Sequence, residues 1–268
     1  MKLILNKVPA LLLLLICSAQ AQSEINLSQA IEGTHRSAEN KARDRYRHPE
    51  ETLRFFDVQN TMTVVELSPG AGWYTEILAP YLKDKGKLYT AHFSETSKVP
   101  YFIKSLSDFK SKLAGNPEIY GAVQLTVLQA PEFTNIAPEG SCDRALTFRN
   151  VHNWMKDGQA EAVFAAAYKA LKPGGIFGVV EHRSLPDAPL AQQITSGYVS
   201  ENQVITFAEK AGFKLLEKAE INANPKDTKD HPMGVWTLPP ALRLGQQNRA
   251  HYLEIGESDR MTLKFIKP

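Results

Sequence analysis

The segment Val64-Val65-Glu66-Leu67-Ser68-Pro69-Gly70-Ala71-Gly72-Trp73-Tyr74-Thr75 decides the fold class. Thr63 to Leu67 is a β-branched strand, a Gly-rich turn ends it, and a helix is predicted from Trp73 to Leu82. Gly70 and Gly72 carry no Cβ, so a ligand can approach the backbone there. The helix start adds free N–H groups and the positive end of a dipole. On open α/β sheets, ligands bind at the carboxyl ends of the strands, where this turn lies. A dinucleotide fingerprint needs a third glycine, and Thr75 stands near its place. Trp73 and Tyr74 would also crowd a pyrophosphate. Glu66, just before the turn, suits a cationic group better than a phosphate.

From Thr61 onward, short apolar runs alternate with helical stretches. Further strands are predicted at 88–91, 123–128, 144–148, 176–181, 213–216 and 261–266. Helices are predicted at 99–114 and 157–171, and from a Ser200 cap to Ala211, with Gly212 closing it. This alternation predicts a seven-stranded, mostly parallel α/β sheet with helices on both faces. Residues 22–60 read as an N-terminal cap of one or two helices, with Pro49 opening the second. Arg43, Arg45, Arg47 and His48 lie close together there. They read as a packing cap with a solvated basic face, or alternatively as a substrate-binding arm. Residues 61–268 form the main domain, with a long insertion at about 221–259 that is rich in Pro, Asn, Asp and Lys. Such loops inside a compact domain are usually functional or disordered.

The N-terminus reads as a signal peptide over 1–21. Lys2 and Lys7 precede an apolar run, and Ala19-Gln20-Ala21 supplies the small side chains that signal peptidase accepts. The expected mature chain starts at Gln22, is exported to the periplasm or secreted, and keeps no membrane insertion. Of the 31 Lys and Arg residues, two leave with the leader, so 29 remain against 29 acids. A charge near zero argues against nucleic acid as a partner. Cys142 is the one cysteine left after cleavage, so no internal disulfide is expected, and no cysteine cluster suggests zinc.

Glu66-x-Ser68-x-Gly70-x-Gly72 resembles motif I of class I S-adenosylmethionine (SAM)-dependent methyltransferases. The run from Glu66 to Leu78 resembles a family of predicted bacterial methyltransferases that carry signal peptides. Further segments match in order: Gly86 to Tyr89, Cys142 to His152, and Leu171 to Phe177. The resemblance covers roughly Phe55 to Phe213. It implies a Rossmann-like fold, SAM as cofactor, and a small molecule or protein side chain as methyl acceptor. SAM carries an ammonium and a sulfonium, which an acid at Glu66 suits.

The resemblance implies a cofactor site of Glu66, Ser68, Gly70, Ala71, Gly72, His92, Glu132, Arg149 and Asn150. Two positions depart from the family. His92 stands where an Asp or Glu usually holds the ribose hydroxyls, and a neutral imidazole accepts one bond, not two. Gln129-Ala130-Pro131-Glu132 replaces the usual Asp near the adenine, with Glu132 as the substitute. His152, just past the fourth strand, is the candidate general base; the alternative is a histidine that only braces its loop. Trp154 reads as core or cofactor wall. Tyr198 is a candidate for the substrate mouth, and Pro225 to Pro232 for a lid or a solvated loop. His152, Glu181 and His182 share one rim, but neighbouring strand residues point to opposite faces, so no metal is expected. The rival to an enzyme is a non-catalytic, degenerate module that keeps the turn but not the ribose clamp.

Overall fold

The computed structural model describes residues 25–268. The expected signal peptide lies outside the described residues. Four short helices come first: α1 (Leu27–Glu32), α2 (Ala38–Lys41), α3 (Asp44–Arg47) and α4 (Pro49–Phe55). An Asn26/Gln29 capping box starts α1, and Pro49 opens α4, where its missing N–H costs nothing. His48, at φ +40°, sets the corner between α3 and α4. The expectation of one or two helices was too few, because such corners divide the segment.

β1 (Thr63–Leu67) sits inside the sheet, and four of its five residues are buried. It is paired in parallel to β2 (Lys87–His92) on one side and to β4 (Cys142–Phe148) on the other. The remaining strands are β3 (Gln124–Val127), β5 (Leu171–His182), β6 (Lys214–Ala219) and β7 (Arg260–Ile266). Their order is β3-β2-β1-β4-β5-β7-β6, and β7 alone runs antiparallel to its neighbours. Strands covered on both faces read as continuous apolar runs. Here Val65, Ala145 and Val179 enter one core layer, while Val64, Leu146 and Val180 enter the other.

One layer is covered by α1, α4, α5 (Thr75–Leu82) and α7 (Pro117–Tyr120). The other is covered by α8 (Val151–Lys156), α9 (Ala160–Ala170) and α11 (Glu201–Ala211). α6 (Pro100–Gly115) brings Phe109 against the turn after β1, and α10 (Leu190–Ser196) packs on α8. The helix expected over 157–171 begins only at Ala160. Gly158, at φ +69°, separates it from α8. Residues 221–259 are not a bare loop: they contain a 3-10 turn (Gly234–Thr237) and α12 (Arg249–Ile255). The buried Asp227 carboxylate pins this segment. It accepts from the Tyr198 hydroxyl at 3.0 Å and from the Asp259 N–H at 2.8 Å. Tyr198 is thereby a buried anchor of this segment and does not line the cavity described below.

Candidate functional site

A cavity of about 1150 Å³ opens at the carboxyl ends of β1, β2 and β4. Ser68, Gly70, His92, Asn150, His152 and Trp154 are on its wall. The sequence pattern thus brings five of its ten site residues together. Glu66, Ala71, Gly72, Glu132 and Arg149 do not line this cavity.

The turn after β1 is held in the left-handed region at Ser68 (φ +52°), Gly70 (+59°) and Gly72 (+78°). The two glycines serve different ends. A Cβ on Gly70 would meet nothing within 4 Å, so it would point into open space at the cavity wall. A Cβ on Gly72 would fall 2.9 Å from the Phe109 ring, so packing under α6 requires that glycine. Ala71 is exposed, and its carbonyl accepts from Lys112 at 2.9 Å. Asn150 fastens the turn to β4. Its side-chain amide lies 3.2 Å from the Leu67 and Ser68 carbonyls and 3.3 Å from that of Phe148.

Glu66 does not reach the cavity. Alternation along β1 turns it toward α5, where the Thr75 hydroxyl donates to it at 2.6 Å. Burial pushes its carboxyl up to about 7, against the lowering effects of Thr75 and Lys112. The expected partner for a ligand cation is instead a brace between β1 and the helix after it.

His92 ends β2 at the cavity wall, but not as a ribose acceptor. The Phe93 N–H donates to its Nδ1 at 2.8 Å. Nε2 therefore carries the proton and faces the Gly70 carbonyl at 3.1 Å. Both ring nitrogens are engaged, and no acceptor remains. Burial lowers its pKa, keeping the ring neutral. Glu132 is exposed, because an antiparallel bridge between Gln129 and Phe133 throws the tip of that turn into solvent. Gln129 lines the cavity in its place and accepts the Ser94 N–H at 3.1 Å. Arg149 takes φ +63°, donates its N–H to Val180 O at 2.7 Å, and turns away toward the N-terminal helices.

His152 lies in the first turn of α8. Its Nδ1 is 3.0 Å from Oε1 of Glu181, which is fully buried at the end of β5. The carboxylate is the obligate acceptor, so Nδ1 donates, and Nε2 is left as the acceptor nitrogen of a ring on the cavity wall. Alternation was expected to keep Glu181 and His182 apart. Glu181 instead folds back to accept the His182 N–H at 2.7 Å. Donor atoms of His152, Glu181 and His182 fall within 4.8 Å of one another. The Glu181 carboxylate already meets the N–H groups of His152 and His182 and the His152 ring. Burial, with His152, Arg149, Arg260 and Arg47 nearby, drives the His182 pKa well below its ordinary value.

Sequence reasoning did not find Phe93 and Phe102, whose rings stack on the cavity wall at 3.9 Å. Phe93 lies just beyond the strand expected over 88–91, and Phe102 falls within the helix expected over 99–114. The Pro225 to Pro232 segment was a candidate lid. Lys229 to Gly234 do line the cavity, and the wall continues through Trp236 to Arg243, whose guanidinium lies over the indole at 4.7 Å.

No protein-family model matches this chain, and no curated protein matches it in sequence. Solved structures do match in shape. A SAM-dependent methyltransferase from Aquifex aeolicus superposes with TM-score 0.56 at 16% identity, covering 91% of this chain and all of the other (100%). The cyclase SpnF gives 0.58 at 14% identity over 83% and 80% of the two chains. A phosphoethanolamine N-methyltransferase from Haemonchus contortus, in complex with SAM, gives 0.54 at 16% identity over 83% of this chain and 53% of its own. At these identities the likeness is one of fold. The chain has the Rossmann-like fold of the SAM-dependent methyltransferases.

Proposed function

We propose that this protein is a SAM-dependent methyltransferase acting on a hydroxyl or amine, with His152 as general base. The observation that carries the reading is the His152–Glu181 pair on the wall of the same cavity as the Gly70 turn. The cavity exceeds the roughly 300–1,000 Å³ usual for one small-molecule site, which suits a cofactor beside an acceptor. SAM fits the turn because the open space at Gly70 is where a ligand would pass the backbone. Ser68, Gly70 and Asn150 would hold its amino-acid end, and Phe93 and Gln129 its adenine end. When bound, it supplies an electrophilic methyl group.

The chain's own residues then do two things. Glu181 holds the His152 ring through Nδ1, fixing the tautomer and stabilising the imidazolium that forms. Nε2 takes the proton from the acceptor as it is methylated. The rest is positioning, by a turn that Asn150 and His92 hold from two neighbouring strands. Calorimetry with SAM tests the cofactor, and release of S-adenosylhomocysteine across a panel of acceptors tests the reaction. If SAM does not bind, the non-catalytic module takes the place of this reading. Export belongs to the same proposal: N-terminal sequencing of the exported protein should start at Gln22. No helix among the described residues is long and apolar enough to cross a membrane.

A further inference from the structure

We infer that the acceptor is an organic acid with an apolar, ring-sized body, and that Arg243 receives its carboxylate on the wall of the cavity that holds His152. The inference rests on the methyl-transfer reading for the word "acceptor"; the site for the acid stands without it. Arg243 lines the cavity and makes no side-chain hydrogen bond or ion pair among the described residues. Asp157 and Asp230 share the wall, and neither pairs with it. Lys229, a second cation there, is already taken by Asp259 at 2.8 Å. The arginines of the N-terminal helices have no part in this: Arg43 and Arg47 turn to Glu257 and do not line the cavity, so they are not a solvated face either.

Local structure orients the Arg243 side chain. Its backbone N–H donates to the Trp236 carbonyl at 3.0 Å, which brings the chain back to the indole. The guanidinium then lies over that indole at 4.7 Å. A stack of this kind holds the group by its face and leaves the N–H edges to form a fork for a carboxylate. The indole is itself seated, since a Cβ on Gly197 would fall 3.0 Å from it. It also meets the His152 ring edge-on, with centroids 6.0 Å apart. One side chain therefore neighbours both the proposed base and the cation. A cation already held in place loses less freedom when it binds.

The rest of that wall asks for an apolar body. Trp154, Ile194, Met233 and Trp236 line the same cavity. Tyr101 and Met233, both on its wall, are 69% and 44% exposed. Large apolar side chains gathered around a concave site mark where the body of a ligand is covered. A small anion would leave this surface wet, and a neutral ring would leave the Arg243 fork idle. An acid carried on a ring satisfies both.

Isothermal calorimetry on the purified protein, with and without SAM, tests this. The probes are benzoate, its neutral isostere benzamide, and acetate, which has the charge and no ring. Benzoate should bind roughly tenfold more tightly than benzamide, the scale of one hydrogen-bonded charge, and more tightly than acetate. Arg243→Met should bring benzoate down to the level of benzamide and leave benzamide binding unchanged, which a merely structural role would not do. Arg243→Gln keeps donors and loses the charge, and should behave in the same way. The inference is overturned if the wild type does not prefer benzoate to benzamide, or if both variants keep that preference. It is equally overturned if acetate binds as well as benzoate, for then no apolar body is recognised. SAM titrations run alongside keep the two readings separable: SAM bound with no preference for benzoate sinks this inference alone, and benzoate preferred by a protein that does not bind SAM sinks the methyltransferase.

Discussion

The ring Nε2 of His92 lies 3.1 Å from the carbonyl oxygen of Gly70, so the end of β2 holds the turn after β1. His92→Asp would place a carboxylate against that carbonyl and leave the Gly70 oxygen without its donor. The sequence alone suggests that this substitution tightens SAM binding by restoring a ribose clamp. The structure reverses the expectation. A lost buried hydrogen bond of this kind costs about 1–3 kcal/mol, or a Tm drop on the order of 2–10 °C for a chain of this size. Thermal melts and SAM calorimetry of the variant should both move downward, and a tighter Kd would refute the geometry.

Gly70 and Gly72 should separate binding from folding. Gly70→Val puts branched carbon into open space on the cavity wall. It should abolish SAM binding for a left-handed strain of only about 1–3 kcal/mol. Gly72→Ala carries the same strain, and its Cβ also meets the Phe109 ring at 2.9 Å. Its larger loss should appear in Tm. Equal effects of the two on both readouts would mean that neither glycine faces a ligand.

Glu66 gives a pH signature. Its folded carboxyl sits at about 7, above the ordinary 4.5, because of burial. A raised pKa favours the fold while the group is protonated. That stability is fully present below about 4.5 and is lost as pH rises through 7. Glu66→Gln keeps the acceptor for Thr75 and removes the charge. It should leave stability near pH 4 little changed and raise it at pH 8, by about 3 kcal/mol at most from 1.36 kcal/mol per pKa unit. Melts at the two pH values check this. Destabilisation at pH 8 would show that Glu66 is needed as an anion.

His152→Gln should lower kcat by about 100- to 10,000-fold, the usual contribution of a positioned base, with SAM affinity held within about threefold. Glu181→Gln keeps a hydrogen bond to Nδ1 but not the charge that steadies the imidazolium. It should lower kcat by less than His152→Gln does, with KM for the acceptor little moved. Once an acceptor is in hand, steady-state kinetics decide. A KM effect without a kcat effect would make His152 a binding residue.

The parts of the site that could be read along the chain are those set by local chemistry. Ser68, Gly70, His92 and Asn150 sit at strand ends, and strand ends of a parallel sheet share one rim. His152 follows from the same rule, being two residues beyond Asn150. Glu181 as its partner does not, because the two are 29 residues apart and meet only through the parallel pairing of β4 with β5. Glu132 was placed in the site by alignment along the chain, and a two-residue bridge at Gln129 and Phe133 removed it.

The sequence by itself determined the α/β class, the seven strands, the Gly-rich turn and the rim where ligands bind. Periodicity and the left-handed freedom of glycine act over a few residues, so they are legible in a few residues. Only the tertiary structure decided which way Glu66, His92 and Arg149 face, and that Arg43 and Arg47 are drawn from an N-terminal helix layer toward Glu257, more than 200 residues away. Those choices belong to burial and charge, which depend on what the rest of the chain brings alongside.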